Sequence, residues 1–266
     1  MSCKDFYLST PFVVDYFKCS TCGLVQQSPL PNDVAPFYTS YPVHLKKSIF
    51  HTLSRSLIMR DVYFKLGAIG RKSVLLDYGC GDGSFLESAA PYSGRSFGFE
   101  VSKEHAEELS RQLRVPIYSS SELLLKDLEG EVDVLTMHFV VEHLTDLKYT
   151  FALISKLLRP GGIFYCVVPN IESWEFRLFR EKWHGLDPPR HISFPDMNVV
   201  NLLSRANGLE VNCSQHAAFP NGFAGSVPAA LTGRFSFPIF AVALPLGVLA
   251  SKIAPSGVTA FFIKKL

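Results

Sequence analysis

Apolar residues along this chain come in two patterns. The first is the short strand-like run: Val74–Leu76, Phe97–Phe99, Val115–Tyr118, Val132–Met137, Ile163–Val168, Leu209–Ser214 and Gly257–Ile263, of which Val74–Leu76 and Ile163–Val168 are apolar throughout. Uninterrupted runs of this length are what strands covered on both faces look like. The second is helical spacing. It starts at Ser84 and recurs over Ser102–Leu113, with Ser102 as N-cap, over Leu147–Leu158 and over Asp196–Ala206. A further helix is predicted over 46–68, where Ile49, Phe50, Leu53, Leu57, Ile58, Val62 and Leu66 share a face and basic residues lie between them. Alternation of buried strands with amphipathic helices predicts an α/β domain with a largely parallel sheet.

The turn after the first run decides the chemistry. Val74-Leu75-Leu76 leads into Asp77-Tyr78-Gly79-Cys80-Gly81-Asp82-Gly83 and then a helix, and the second run ends at Glu100. Glycines at alternate positions let the backbone turn sharply and lie against a ligand, and the helix behind them aims free N–H groups at the same place. Glu100, at the tip of the second strand, is placed to accept two hydrogen bonds from a ribose diol. A dinucleotide loop reads G-x-G-x-x-G, and Ser84 stands where that pattern requires its third glycine. That spacing disfavours a nicotinamide-dependent oxidoreductase.

The form D-x-G-x-G-x-G followed by a strand-2 acid resembles class I S-adenosylmethionine-dependent methyltransferases. The resemblance implies a Rossmann-like, seven-stranded, mostly parallel sheet with helices on both faces and an antiparallel last strand. It implies that Asp77, Gly79, Cys80, Gly81 and Gly83 hold the methionine part of S-adenosyl-L-methionine. Glu100, with Val101 beside it, takes the ribose, and Ser121 and Glu122 are candidates for the adenine. His138-Phe139-Val140-Val141-Glu142-His143 resembles the segment that faces the sulfonium, with His138 and His143 as pocket residues. Ubiquinone-pathway O-methyltransferases carry an additional Glu where this chain has Phe139, so no metal site of that kind is expected. Leu158-x-Pro160-Gly161-Gly162 is a frequent feature of the class and ends a helix here.

The acceptor side is predicted after the fifth strand, at the carboxyl edge where α/β sheets bind ligands. Asn170, Trp183 and Arg190 are the substrate-binding candidates, in a lid near 170–195 that holds both tryptophans. Pro188 and Pro189 fix the backbone before Arg190 and His191. His191 is the first candidate for general base and His143 the competing one.

Three units are expected: 1–45, 46–217 and 218–266. In the first, Cys19-Ser20-Thr21-Cys22-Gly23 has a zinc-knuckle shape and resembles the second half of the four-cysteine module of some bacterial sugar methyltransferases. Only Cys3 remains as a third thiol, so tight zinc binding is not expected, and a β-hairpin with two free thiols is the alternative. In the last unit no charged residue lies between Arg234 and Lys252. Pro238, Pro245 and Gly247 interrupt this run, which suits an apolar hairpin or a surface dipping into a bilayer better than a spanning helix.

Over 266 residues, 47% are hydrophobic and 19% charged, enough for a full core. A net charge of +2 gives no case for a nucleic-acid partner. Six cysteines in these positions and no secretory pattern at the start lead to the expectation of a reducing, cytoplasmic compartment, with peripheral membrane contact through 235–251. The function expected is methyl transfer from S-adenosyl-L-methionine to a small-molecule or glycan acceptor, at a hydroxyl of a sugar or lipid-linked glycan. A quinone or lipid O-methyltransferase and a non-catalytic cofactor-fold binding protein are the alternatives.

Overall fold

The structure is a computed structural model that describes residues 1–31, 33–38, 70, 72–216, 219–253 and 255–266. The helix predicted over 46–68 lies outside the described residues.

The main sheet holds seven strands: β4 (Val74–Tyr78), β5 (Arg95–Phe99), β6 (Ile117–Tyr118), β7 (Val132–His138), β8 (Leu158–Pro169), β10 (Leu209–His216) and β11 (Val258–Lys265), in the order β10-β11-β8-β7-β4-β5-β6. All pairings from β8 through β6 are parallel, and β11 runs antiparallel to both β8 and β10. Alternate residues of each strand enter different cores. Leu75, Val134 and Tyr165 join the cluster under α1 (Ser84–Ala89) and α2 (Lys103–Leu113). Leu76, Leu135 and Phe164 join the opposite cluster, under α3 (Ser121–Leu128), α4 (Leu147–Leu157) and α6 (Met197–Ala206). With both faces covered, the central β8 is apolar at every position from Ile163 to Val168. The helix N-termini are capped as their sequences indicate: Ser102, Ser120, Asp146 and Asp196 each accept a backbone N–H of the first turn.

One boundary differs from expectation. The Arg159–Gly162 turn does not stand between helix and strand. β8 already begins at Leu158, which pairs with Val132, and Gly161 sits inside the strand at φ +78°.

The N-terminal residues build a second sheet from β1 (Ser2–Lys4), β2 (Val13–Lys18) and β3 (Val25–Gln27), and its fourth strand, β9 (Ser193–Phe194), comes from the predicted lid, which also holds α5 (Trp174–Phe179). Val25 and Gln26 pair with Phe194 and Ser193. The first segment is therefore the frame of the lid, with its own core of Cys3, Tyr16, Trp183, Leu186 and Phe194. Beyond β10, α7 (Pro220–Thr232) and α8 (Phe237–Ala250) form the apolar hairpin anticipated there, and it is helical.

Candidate active site

The cofactor half is made of backbone. After β4 the chain reverses with the N–H groups of Gly79 and Cys80 both donating to the Phe99 carbonyl. Gly79, Gly81 and Gly83 all have positive φ, but they serve different ends. A Cβ on Gly79 would lie 2.6 Å from Val140, and one on Gly83 would lie 2.6 Å from Leu113, so both glycines permit close packing. Gly81 faces open space, which is what a loop that receives a ligand requires. Its N–H donates to Glu100 Oε2 at 3.2 Å, so the carboxylate is already drawn to the loop. Asp77 is buried and accepts from Thr136 Oγ1 at 2.7 Å, tying the loop to β7. These groups fit the polar end and ribose of S-adenosylmethionine.

The remaining cofactor candidates are scattered in role. The Cys80 side chain is buried among core residues, which pushes its thiol up, and only its backbone faces the loop. Val101 is 80% exposed beside Glu100. Ser121 bonds the hydroxyl of Tyr78, which stacks on Phe99. Glu122 accepts from Ser120 Oγ at the start of α3. His138, at the end of β7, lies between the rings of Phe85 and Tyr165.

Three predicted acceptor residues are corrected. Arg190 is fully buried, and its guanidinium is taken up by two carboxylates. Its Nε and Nη2 donate to Asp187, and its Nη1 and Nη2 donate to Asp5. It clamps the N-terminal segment to the lid. Trp183 is buried in the core of the small sheet, its Nε1 3.5 Å from Glu175. Asn170 uses its side chain on the turn itself, donating to the Ser256 carbonyl and accepting from the Glu172 N–H.

The structure brings together His191, His143 and a residue that was not among the candidates, Glu142. The 3₁₀ turn Val141–His143 follows β7, and the lid runs across it. Ile192 N–H donates to the Glu142 carbonyl, and Ser193 Oγ donates to the Leu144 carbonyl. Tyr16 of the small sheet donates from its hydroxyl to the His191 carbonyl at 2.7 Å. Each imidazole is oriented by a carbonyl: His143 Nδ1 bonds Arg190 O at 2.9 Å, and His191 Nδ1 bonds Gly185 O at 2.8 Å. A carbonyl only accepts, so Nδ1 carries the hydrogen in both rings and Nε2 is left as acceptor. The rings meet edge to face at 4.7 Å, and His191 Nε2 lies 4.0 Å from both Glu142 and Asp187.

Burial sets the protonation of this group. Glu142 is wholly buried with neither carboxylate oxygen hydrogen-bonded, and desolvation raises its pKa to about 8. Desolvation, then the neighbouring His143, lowers His191 to about 3, and burial lowers His143 as well. At neutral pH the group is a carboxylic acid between two neutral imidazoles. One atom from each residue lies within 4.8 Å of the others, close enough to share a proton or a divalent cation. Cys3 is buried and Cys19 exposed, as free thiols at opposite ends of the small sheet's hairpin. Sequence reading passed over Glu142 because a Glu before His in an apolar turn shows no sign of its burial until the lid lies across it.

The methyltransferase domain family matches residues 50–214, more than half of the chain. The chain belongs to this family of S-adenosylmethionine-dependent methyltransferases. A ubiquinone biosynthesis O-methyltransferase from Pelagibacter ubique is 29% identical over 182 residues, covering 64% of this chain and 75% of that protein. One from Methylococcus capsulatus is 32% identical over 115 residues, covering 41% and 48%. The chain spans about half the length of most of the curated relatives it matches. Among solved structures, geranyl diphosphate C-methyltransferase from Streptomyces coelicolor superposes with a TM-score of 0.54 at 14% identity, covering 85% of this chain and 89% of that one. At that identity the likeness shows the fold, a seven-stranded, mostly parallel sheet with helices on both faces. Membership of the methyltransferase family sets the oxidoreductase reading aside.

Proposed function

We propose that the chain transfers the methyl group of S-adenosylmethionine to a hydroxyl of a small-molecule acceptor, a sugar or the head of a lipid-linked glycan. The observation that carries this reading is the pair of Nε2 lone pairs held by backbone carbonyls above the end of β7. In-line attack on the sulfonium methyl releases a neutral thioether, so most of the chemistry is orientation in a dry cleft. A hydroxyl becomes strongly acidic only as its oxygen gains the methyl, and an already neutral imidazole can accept that proton even with its pKa depressed. His191 Nε2 takes it, and the imidazolium is then stabilised by the ionised Asp187 carboxylate 4.0 Å away. S-adenosylmethionine would supply the methyl group, and Glu100 and the Gly79–Gly83 backbone would hold it.

A quinone head is the second reading, favoured by the ubiquinone biosynthesis O-methyltransferases among the relatives. Both acceptors present a ring hydroxyl. Incubation with methyl-labelled cofactor and separate pools of sugars, lipid-linked glycans and hydroxylated quinones tests the reading. Label in an alkali-stable methyl ether supports it. Label only on nitrogen or carbon, or cofactor binding without label in any pool, would overturn it in favour of another acceptor atom or a binding protein.

A further inference from the structure

The hairpin α7–α8 is built with its small residues inside and its large apolar residues outside. α8 buries Ala243, Gly247 and Ala250, a stripe on one side of the helix. A Cβ on Gly247 would lie 2.4 Å from the Pro220 carbonyl, so the two helices touch backbone to backbone. The rest of the α8 surface shows Phe237 at 69%, Val242 at 80%, Leu246 at 59% and Leu249 at 62% exposure. A helix packed on a water-facing protein has the reverse arrangement. No residue of α8 is charged, and the chain holds no Asp or Glu from 211 to its last residue, whereas Arg234 and Lys252 stand exposed at the two ends of the hairpin's outer helix. At 1.5 Å per residue the 14 residues of α8 reach about 21 Å, short of a hydrocarbon core of about 30 Å. No helix among the described residues is long and apolar enough to cross a membrane.

We infer that the outer face of α8 lies in the surface of a bilayer containing anionic lipids, and that this places the active site where a lipid-borne acceptor is met. The charge pattern chooses this occupant: an apolar face with an exposed cation at each end and no acid in the hairpin itself matches acyl chains flanked by anionic headgroups. The inner face is joined to the site. Phe219, at the start of α7, packs on Phe139 after β7 at 5.2 Å. Ser226 of α7 accepts from His184 N–H, and the next residue, Gly185, supplies the carbonyl that orients His191. The membrane face is thus one helix layer from the candidate base. This deepens the proposed methyl transfer by naming where the acceptor resides, and rests on that reading only for this consequence.

Flotation of the full chain with vesicles of phosphatidylglycerol or of phosphatidylcholine, without turnover, tests the contact. The chain is expected to float with the anionic vesicles at least tenfold more strongly and to lose this with added salt. Leu246→Glu should lower vesicle affinity at least tenfold, and Arg234→Gln about fivefold, the weight of one basic residue near an anionic surface. Both positions are exposed, so thermal unfolding and S-adenosylmethionine affinity should not change. Wild-type protein that stays off both vesicles overturns the inference. So does a wild-type dimer, seen by sedimentation, that Leu246→Glu dissociates without altering flotation, because a second copy would then cover the face. Flotation with no methylation of any acceptor would defeat the methyl-transfer reading and leave the membrane contact standing.

Discussion

The cofactor half and the acceptor half of this molecule are built on opposite plans. The cofactor half, Asp77 to Glu100, is local: one strand, one glycine loop, one helix and the tip of the next strand, with its contacts made by backbone N–H groups. The acceptor half is assembled at long range. Glu142 and His143 come from the end of β7, His191 from the lid, Tyr16 and Asp5 from the N-terminal sheet. A local site tolerates change elsewhere in the chain. A site assembled from three segments depends on what fastens the segments, and here that is the buried Arg190 with two carboxylates. The two halves should therefore fail separately.

The largest separation is expected at His191. His191→Ala should lower turnover about 10²–10⁴-fold, the usual contribution of a general base, with S-adenosylmethionine affinity by calorimetry unchanged. His143→Ala, made in parallel, decides between the two imidazoles. Full turnover in His191→Ala with a dead His143→Ala would move the base to the end of β7.

The fastening comes next. Asp5→Ala leaves the Arg190 guanidinium buried with one partner instead of two and should cost about 3–5 kcal/mol in denaturant unfolding, the usual penalty for breaking a buried ion pair. It also removes the acceptor for the N–H groups of Tyr7 and Leu8. Cofactor affinity of the folded fraction should persist. If affinity falls in step with stability, the two halves are not independent.

Within the cofactor half, Glu100→Ala should weaken S-adenosylmethionine binding by about 1–3 kcal/mol, the scale for losing hydrogen bonds to a charged group, while turnover at saturating cofactor stays near wild type. NAD should not bind. Unchanged affinity would remove Glu100 from the ribose role.

The same division explains what could be read in advance. The strands, their order of appearance and the glycine loop were legible because each depends on neighbours in sequence or on an alternation of two, whereas the antiparallel course of the last strand came only with the family resemblance. Residues 170–190 were harder. Trp183, Asn170 and Arg190 look like a binding surface because aromatic, amide and guanidinium groups after a strand edge often form one. Their burial becomes visible only with β1–β3 in place, since Arg190 meets Asp5 and Trp183 meets Cys3 and Tyr16 from the far end of the chain. β9, two residues long, has no pattern of its own; it is a strand because Val25 and Gln26 lie beside it.

The smallest expected effect concerns the buried group at the acceptor side and its response to pH. An isolated histidine base would make the rate rise near pH 6.5, but His191 is lowered to about 3, so that rise belongs in strong acid and the rate should be flat around neutrality. Stability is the more informative readout. Glu142 is raised to about 8 and faces His191, His143 and Asp187. Between its unfolded value of about 4.3 and about 8 the folded chain holds a proton that the unfolded chain has released, so this carboxyl makes stability fall as pH rises. His191, lowered in the fold, acts with the opposite sign between about 3 and its unfolded value of about 6.5, and His143 and His184 are lowered also. The histidines therefore counter Glu142 up to about pH 6.5, and from there to about 8 no other group of the cluster opposes it; outside the cluster the Cys19 thiol, lowered to about 7, acts with the opposite sign above that pH. Over that interval the wild-type chain should lose stability by at most about 1.4 kcal/mol per pH unit, one proton's worth. Glu142→Gln has no proton to release, so its thermal midpoint should not fall over the same interval while its loss of stability below pH 6 persists. An equal alkaline decline in both proteins would place the responsible group outside this cluster and leave Glu142 charged beside His191.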